Sequence, residues 1–161
     1  MPARIGVIGC GWWATQAHLP ALAHNPDAEL AALADRSGER LGAAADSFGV
    51  SATYIDALEM LSSADLDAVV IAVPHAQHYP LARAALEHGK HVLLEKPMTI
   101  LPEHAHELLA LSRSRGLELV IGYPWHYNEQ AMAVREIRRS HSSGNAKTPS
   151  KSGVNGRPSQ R

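Results

Sequence analysis

Apolar residues fall in short runs, and the segments between the runs carry helical periodicity. Ile5–Ile8, Leu30–Ala34, Ala68–Val73, His91–Leu94 and Leu117–Ile121 are five such runs, and Val50–Tyr54 is a weaker sixth. A continuous apolar run of this length marks a strand buried on both faces. Between them, Leu41, Ala44, Ala45 and Phe48 lie on one face of a helix that Ser37 can cap. Asp56 and Glu59 stand at capping-box spacing before Leu58 and Leu61. Further helices are predicted from Trp12 towards His24, from after Pro74 to Glu87, over Pro102–Arg115 and over Asn128–Arg139. Pro20 inside the first of these removes an N–H and must kink or split it. Gly49, Gly89 and Gly116 punctuate helix ends. Six strands alternating with helices predict an α/β fold of three layers, α/β/α, with right-handed crossovers on a doubly wound parallel sheet.

The exit of the first strand carries the most specific spacing. Gly9, Gly11 and Ala14 form G-x-G-x-x-A directly between strand and helix. In a dinucleotide fingerprint the first glycine permits the tight turn, and the second lets backbone approach a pyrophosphate. The small third residue lets helix and strand pack, and the helix N-terminus favours phosphate charge. Asp35 closes the second apolar run, where a carboxylate accepts the ribose hydroxyls of NAD and repels a 2′-phosphate. That argument favours NAD, with NADP as the alternative. Arg36 follows and can stack on adenine, pair with a 2′-phosphate or remain a solvated loop charge.

Charge and composition narrow the partners. The 161 residues carry a net charge of −1 and 45% hydrophobic residues, ordinary for one globular domain. No basic excess points to nucleic acid, and no apolar run approaches the roughly 20 residues of a membrane span. Cys10 is the single cysteine, which suits a reducing, cytoplasmic setting. The last segment differs from the rest. His141–Arg161 holds Lys147, Lys151, Arg157 and Arg161, no acids, and only Ala146 and Val154 as aliphatics. It reads as a disordered basic tail, because it cannot bury enough surface to offset ordering. The expected organisation is a dinucleotide-binding domain over 1–125, a linking helix over 126–140 and the tail over 141–161.

Other candidates carry less. Glu95-Lys96-Pro97 follows the fifth strand, where a lysine can hold a carboxamide or substrate hydroxyl, or stand as a plain loop charge. His75-x-x-His78 has loose metal spacing, but no further ligand set completes it, so no metal is expected. Trp125-His126-Tyr127 would lie beside the crevice.

Taken in order, these residues resemble the N-terminal domain of the Gfo/Idh/MocA oxidoreductases (the glucose–fructose oxidoreductase, inositol dehydrogenase and MocA group). The resemblance rests on Gly9-Cys10-Gly11 with Ala14, on His18-Leu19-Pro20-Ala21-Leu22 and on Ala34-Asp35-Arg36. Val73-Pro74-His75 with His78, the run Ala84–Met98 and Gly122-Tyr123 complete it. It covers residues 4–140 and implies a Rossmann domain that binds NAD, or NADP. By resemblance, Gly9, Gly11 and Trp12 would line the pyrophosphate with Trp13 beside them, and Asp35 and Arg36 would hold the adenosine ribose. Val73, Pro74 and His75, with His78, would border the middle of the cofactor. Glu95 and Lys96 would reach the nicotinamide, with Lys96 as the catalytic residue and the Lys96–Pro97 bond cis. The implied reaction is hydride transfer to or from a sugar, polyol or related hydroxyl compound. Members of the family carry a second α/β domain with most of the substrate pocket and the oligomer interface. That domain is expected to be absent here, which leaves open a catalytically inactive nucleotide-binding fragment.

Overall fold

The expected strands form β1 (Ala3–Ile8), β2 (Ala28–Ala34), β3 (Thr53–Tyr54), β4 (Ala68–Ile71), β5 (His91–Glu95) and β6 (Leu119–Gly122). They make one sheet in the order β3-β2-β1-β4-β5-β6, every pair parallel. The chain begins at the centre, winds outward through β2 and β3, then returns across β1 to β4 and winds outward again. The reversal falls between β1 and β4, where ligand crevices of such sheets open at the strand carboxyl ends. This computed structural model describes residues 1–123 and 128–144. The chain divides into two units, Met1–Tyr123 and Pro124–Arg161.

Alternation along the strands explains the layers. In β1, Val7 joins a core with Leu19, Leu33, Leu41, Ala44 and Val70, whereas Ile8 joins Met60, Leu61, Val69, Ile71, Leu86, Leu94 and Leu108. Neighbouring residues of β1 and β4 thus feed opposite faces, as a period of two requires. The first face is covered by α1 (Leu19–Ala23) and α2 (Gly38–Phe48). The second is covered by α3 (Ala57–Ser63), α4 (His78–Glu87) and α5 (Pro102–Arg115). Leu19, Leu86 and Leu108 are completely buried, each stabilising the fold by about 1.5–3 kcal/mol.

Three local features of the first unit depart from or refine the expected pattern. Pro20 splits the first helix as anticipated: Ala14–His18 forms a π-type turn ahead of α1, and the Leu19 N–H bonds the Ala14 carbonyl five residues back. A widened turn absorbs a residue that cannot donate. β4 stops at Ile71 rather than Val73. The Ala72 N–H still bonds the Ile8 carbonyl at 2.9 Å, but Val73 leads into Pro74, which cannot extend a ladder. Only Thr53 and Tyr54 of the third run pair as a strand, while Val50 is buried against the α2 face.

In the second unit, α6 spans Glu129–Gly144. His141–Gly144, expected to begin the disordered tail, therefore continue the helix. Adding residues to an existing helix is far easier than starting one, and Gly144 is the first strong breaker after Arg139. Trp125-His126-Tyr127 and the remainder of the tail lie outside the described residues.

Candidate functional site

A crevice of about 880 Å³ opens at the strand exits. The turn after β1 forms its floor. Gly9 has φ +96°, and a Cβ there would stand 2.4 Å from the Ala72 carbonyl oxygen, so only glycine fits. Gly11 is different. A Cβ at Gly11 would meet nothing within 4 Å, so its bareness leaves open space above the backbone. That is the space a pyrophosphate needs, and the volume lies within the range of small-molecule sites.

Asp35, one residue beyond β2, lies on the wall beside this floor, with its side chain 6% exposed. Its Oδ2 accepts the Cys10 N–H at 2.8 Å and the Arg40 Nε–H at 3.3 Å. Its Oδ1 accepts the Ser37 N–H and an Arg40 Nη2–H, each at 2.7 Å. Burial alone would push this carboxyl up; the hydrogen bonds from Arg40, Ser37 and Cys10 outweigh burial and hold it below the ordinary range. Burial, and then the Asp35 charge, push the Cys10 thiol up to about 11. Cys10 is therefore an inert spacer in the turn.

Of the anticipated residues, Gly9, Gly11, Trp12, Asp35, Arg36, Val73 and Pro74 share this one crevice. Trp12 is 73% exposed at its mouth. Ile55, Leu58 and Leu81 add an apolar side, and Arg40 adds a second guanidinium.

Trp13 and Glu95 belong to a separate cluster. Glu95 ends β5, and its Oε1 accepts the Trp13 Nε1–H at 2.7 Å. The same oxygen lies 2.9 Å from His18 Nε2, and Oε2 accepts the Lys96 N–H at 3.1 Å. Burial raises this carboxyl, but the bonds from His18, Trp13 and Lys96 win and lower it. Gly122 makes room for it, since a Cβ there would stand 3.0 Å from Glu95 Oε1. Lys96 is exposed directly after this cluster, and the Lys96–Pro97 bond is cis as the resemblance implied.

His75 and His78 do not line the crevice. His75 is exposed in the turn after Pro74. His78 is fully buried; its Nδ1 stands 2.7 Å from the Pro97 carbonyl and its Nε2 3.0 Å from the Val73 carbonyl. It ties the exits of β4 and β5 together and has no nitrogen left for a ligand. Among the described residues no group of three His, Cys, Asp or Glu side chains converges as a metal site.

Two participants escaped the sequence reading as site residues, Arg40 and His18. Arg40 occupies the third position of α2, in its first turn, where the helix dipole disfavours a cation. That misplaced charge was a usable signal for a nearby carboxylate. His18 lies 77 residues from Glu95, and nothing local couples the two.

Comparison with known proteins gives the same picture. The pattern of the oxidoreductase family with an NAD-binding Rossmann fold matches residues 3–123. A dTDP-3,4-didehydro-2,6-dideoxy-α-D-glucose 3-reductase of Streptomyces violaceoruber is 44% identical over 135 residues, 83% of this chain and 39% of that protein. A D-glucoside 3-dehydrogenase of Escherichia coli is 31% identical, over 89% of this chain and 40% of its own. A crystal structure of a 3-ketoreductase from Actinomadura kijaniata, in complex with NADP and TDP-benzene, superposes with a TM-score of 0.80 at 34% identity. It matches 87% of this chain and 43% of that one. A scyllo-inositol dehydrogenase from Lactobacillus casei, with bound NAD(H) and scyllo-inositol, gives 0.82 at 25% identity, over 89% and 43%. The chain thus spans about two fifths of the length of these relatives. No helix among the described residues is long and apolar enough to cross a membrane. The chain belongs to the Gfo/Idh/MocA oxidoreductase family, and residues 3–123 are matched by its NAD-binding Rossmann domain.

Proposed function

We propose that this chain binds NAD(H) or NADP(H) for an oxidoreductase that acts on a hydroxyl or keto carbon of a sugar, polyol or sugar nucleotide. The single observation that carries the reading is the shared crevice: the Gly9 turn, open backbone at Gly11, and Asp35 with Arg36 at the exit of β2. The substrate class is supported by relatives whose names specify a deoxysugar nucleotide, a glucoside and an inositol.

When bound, the dinucleotide supplies or accepts a hydride at its nicotinamide. The chain's own residues do the rest. Gly9, Gly11 and Trp12 hold the pyrophosphate, with the open N–H groups after the turn favouring its charge. Arg36 borders the adenosine, while Val73 and Pro74 border the middle of the cofactor. Trp13 and Glu95 support the turn from outside the crevice through their mutual bond. Lys96, exposed beyond β5, orients the reacting hydroxyl and moves its proton. A dinucleotide-binding domain followed by a linking helix fits this division of labour. The single cysteine, buried and unpaired, fits a reducing cytoplasmic setting.

Fluorescence titration with NADH and NADPH tests the binding. Saturable binding of at least one is expected, and Gly11→Val should abolish it without lowering the melting temperature. Absence of binding by either dinucleotide at millimolar concentration overturns the reading. Turnover with polyols and keto sugars is a separate measurement. Binding without turnover identifies these 161 residues as a nucleotide-binding unit that does not itself catalyse.

A further inference from the structure

We propose that His78 is a positioning residue that sets the crevice wall against Lys96: its ring holds the turn after Lys96 through the Pro97 carbonyl, and a second ring proton adds the Val73 carbonyl at the exit of β4. What this placement serves rests on the readings of the crevice and of Lys96 given above.

Strands β4 and β5 pair from Ala68 and His91 up to Ile71 and Leu94. Pro74 and Pro97, beyond them, have no N–H with which to continue a ladder. His78 bridges the two exits past that last pair. Its Nδ1 stands 2.7 Å from the Pro97 carbonyl oxygen and its Nε2 3.0 Å from that of Val73. On one side it reaches Val73, which lines the crevice with Pro74. On the other it reaches the residue that follows Lys96.

Both partners are carbonyl oxygens, which only accept. A neutral imidazole has one N–H and one lone pair, so it can donate to one of them while its second nitrogen turns a lone pair towards the other. The imidazolium has an N–H for each. The side chain is completely buried, so no solvent relieves the unmatched nitrogen. The shorter contact, to Pro97, is the one a neutral ring keeps, and the Val73 carbonyl is the one it releases. Histidine is the side chain suited to make that change near neutral pH.

The ionisable groups on the surrounding elements are otherwise engaged or exposed. His75, in the turn ahead of α4, meets the His78 ring edge-on with centroids 5.4 Å apart, and it is exposed, so solvent screens its charge. From β5, Glu95 is bonded by Trp13 and His18, and Lys96 beyond it is exposed. Tyr79, the next residue of α4, donates to Glu107 of α5 and stacks on His104 of the same helix.

Nuclear magnetic resonance of the full chain with 15N-labelled backbone and histidine rings, followed without ligand from about pH 6 to pH 9, tests the proposal. At the acid end both His78 nitrogens should carry protons that exchange on the order of tenfold or more slowly than those of exposed His75. As pH rises, the Nε2 proton should be lost and the Nδ1 proton kept. The Val73 amide resonance should move on the same curve, while those of Lys96 and of Val70, buried in the sheet, stay in place. Substitutions separate the two ends, because an Asn amide nitrogen falls near the Nδ1 position and a Gln amide nitrogen near Nε2. His78→Asn should hold Val73 in its alkaline position at every pH and leave Lys96 unmoved, whereas His78→Gln should move Lys96. NADH should bind the parent about fivefold less tightly at the alkaline end, the value of one hydrogen bond, and His78→Asn should remove that step. A single His78 N–H across the whole range, two protons retained at the alkaline end, or a step that moves Lys96 and not Val73 overturns the proposal, and the parent's own titration decides this if a variant fails to fold. Binding of neither NADH nor NADPH overturns the dinucleotide reading, and the ring resonances still decide the role of His78.

Discussion

Asp35 lies just beyond β2 and Glu95 at the end of β5; both are buried carboxylates fed by several donors and held below the ordinary carboxylate range. Their partners differ in kind. Asp35 is met by a guanidinium and two backbone amides, next to the crevice. Glu95 also accepts one backbone amide, from Lys96, but its side-chain partners are an indole and an imidazole that both come from the segment after the glycine turn. Asp35 grips that turn at Cys10, and Glu95 grips its continuation at Trp13 and His18. The comparison shows one loop clamped from two strands, with a different tolerance at each end. A permanent ion pair fixes the first, and neutral or titratable side chains adjust at the second.

The largest effect should come from the loop itself. Gly9→Ala forces a side chain into positive φ and against the Ala72 carbonyl, which costs about 3 kcal/mol or more. Gly11→Ala, with open space around it, should leave stability within about 0.5 kcal/mol of the parent. Urea denaturation of both variants checks the pair. Equal stabilities would break the picture of one glycine required by the fold and one that leaves room for a ligand.

Next come the two carboxylates. Asp35→Asn removes the charge facing Arg40 and leaves an amide N–H₂ against donors, costing about 2–3 kcal/mol. Glu95→Gln keeps a carbonyl that can accept from both Trp13 and His18 and sets its N–H₂ against a single donor, the Lys96 N–H, so its cost should be nearer 1 kcal/mol. The same denaturation measurement, followed by tryptophan fluorescence, orders them. A Glu95→Gln variant as unstable as Asp35→Asn would erase the proposed difference in tolerance.

Why one end was readable from the sequence and the other was not follows from how far apart the partners lie. Gly9, Gly11 and Asp35 act through backbone geometry and short spacing, so strand exits and an acid about 25 residues further on located them. The doubly wound parallel sheet followed from alternating elements and handedness, without its strand order. Arg40 is only five residues from Asp35, yet apolar periodicity assigns it simply to the polar face of α2. Glu95, Trp13 and His18 meet across 77 and 82 residues, a separation that no local pattern encodes. His78 is a crevice residue only by the resemblance; the helix it begins turns its ring inward, to the carbonyls of Val73 and Pro97.

The smallest expected effect separates the two ends by acid. For both carboxylates the folded pKa lies below the unfolded one, which is about 3.9 for Asp and 4.3 for Glu. Each therefore contributes stability that is fully present above its unfolded pKa and is lost as pH falls through its folded value. Denaturation midpoints measured from pH 7 to pH 3 should decline chiefly below about pH 4.5. Both Asp35→Asn and Glu95→Gln should flatten part of that decline, because neither replacement can take up a proton there. Raising salt should act differently on the two. Arg40 is half exposed beside Asp35, so added salt weakens that pair's attraction, whereas Glu95 and its His18 partner are only 11% and 17% exposed and are screened much less. The salt-sensitive part of the acid limb should therefore vanish chiefly with Asp35→Asn. If it vanishes equally with Glu95→Gln, salt reaches the second clamp as readily as the first, and burial does not distinguish the two ends.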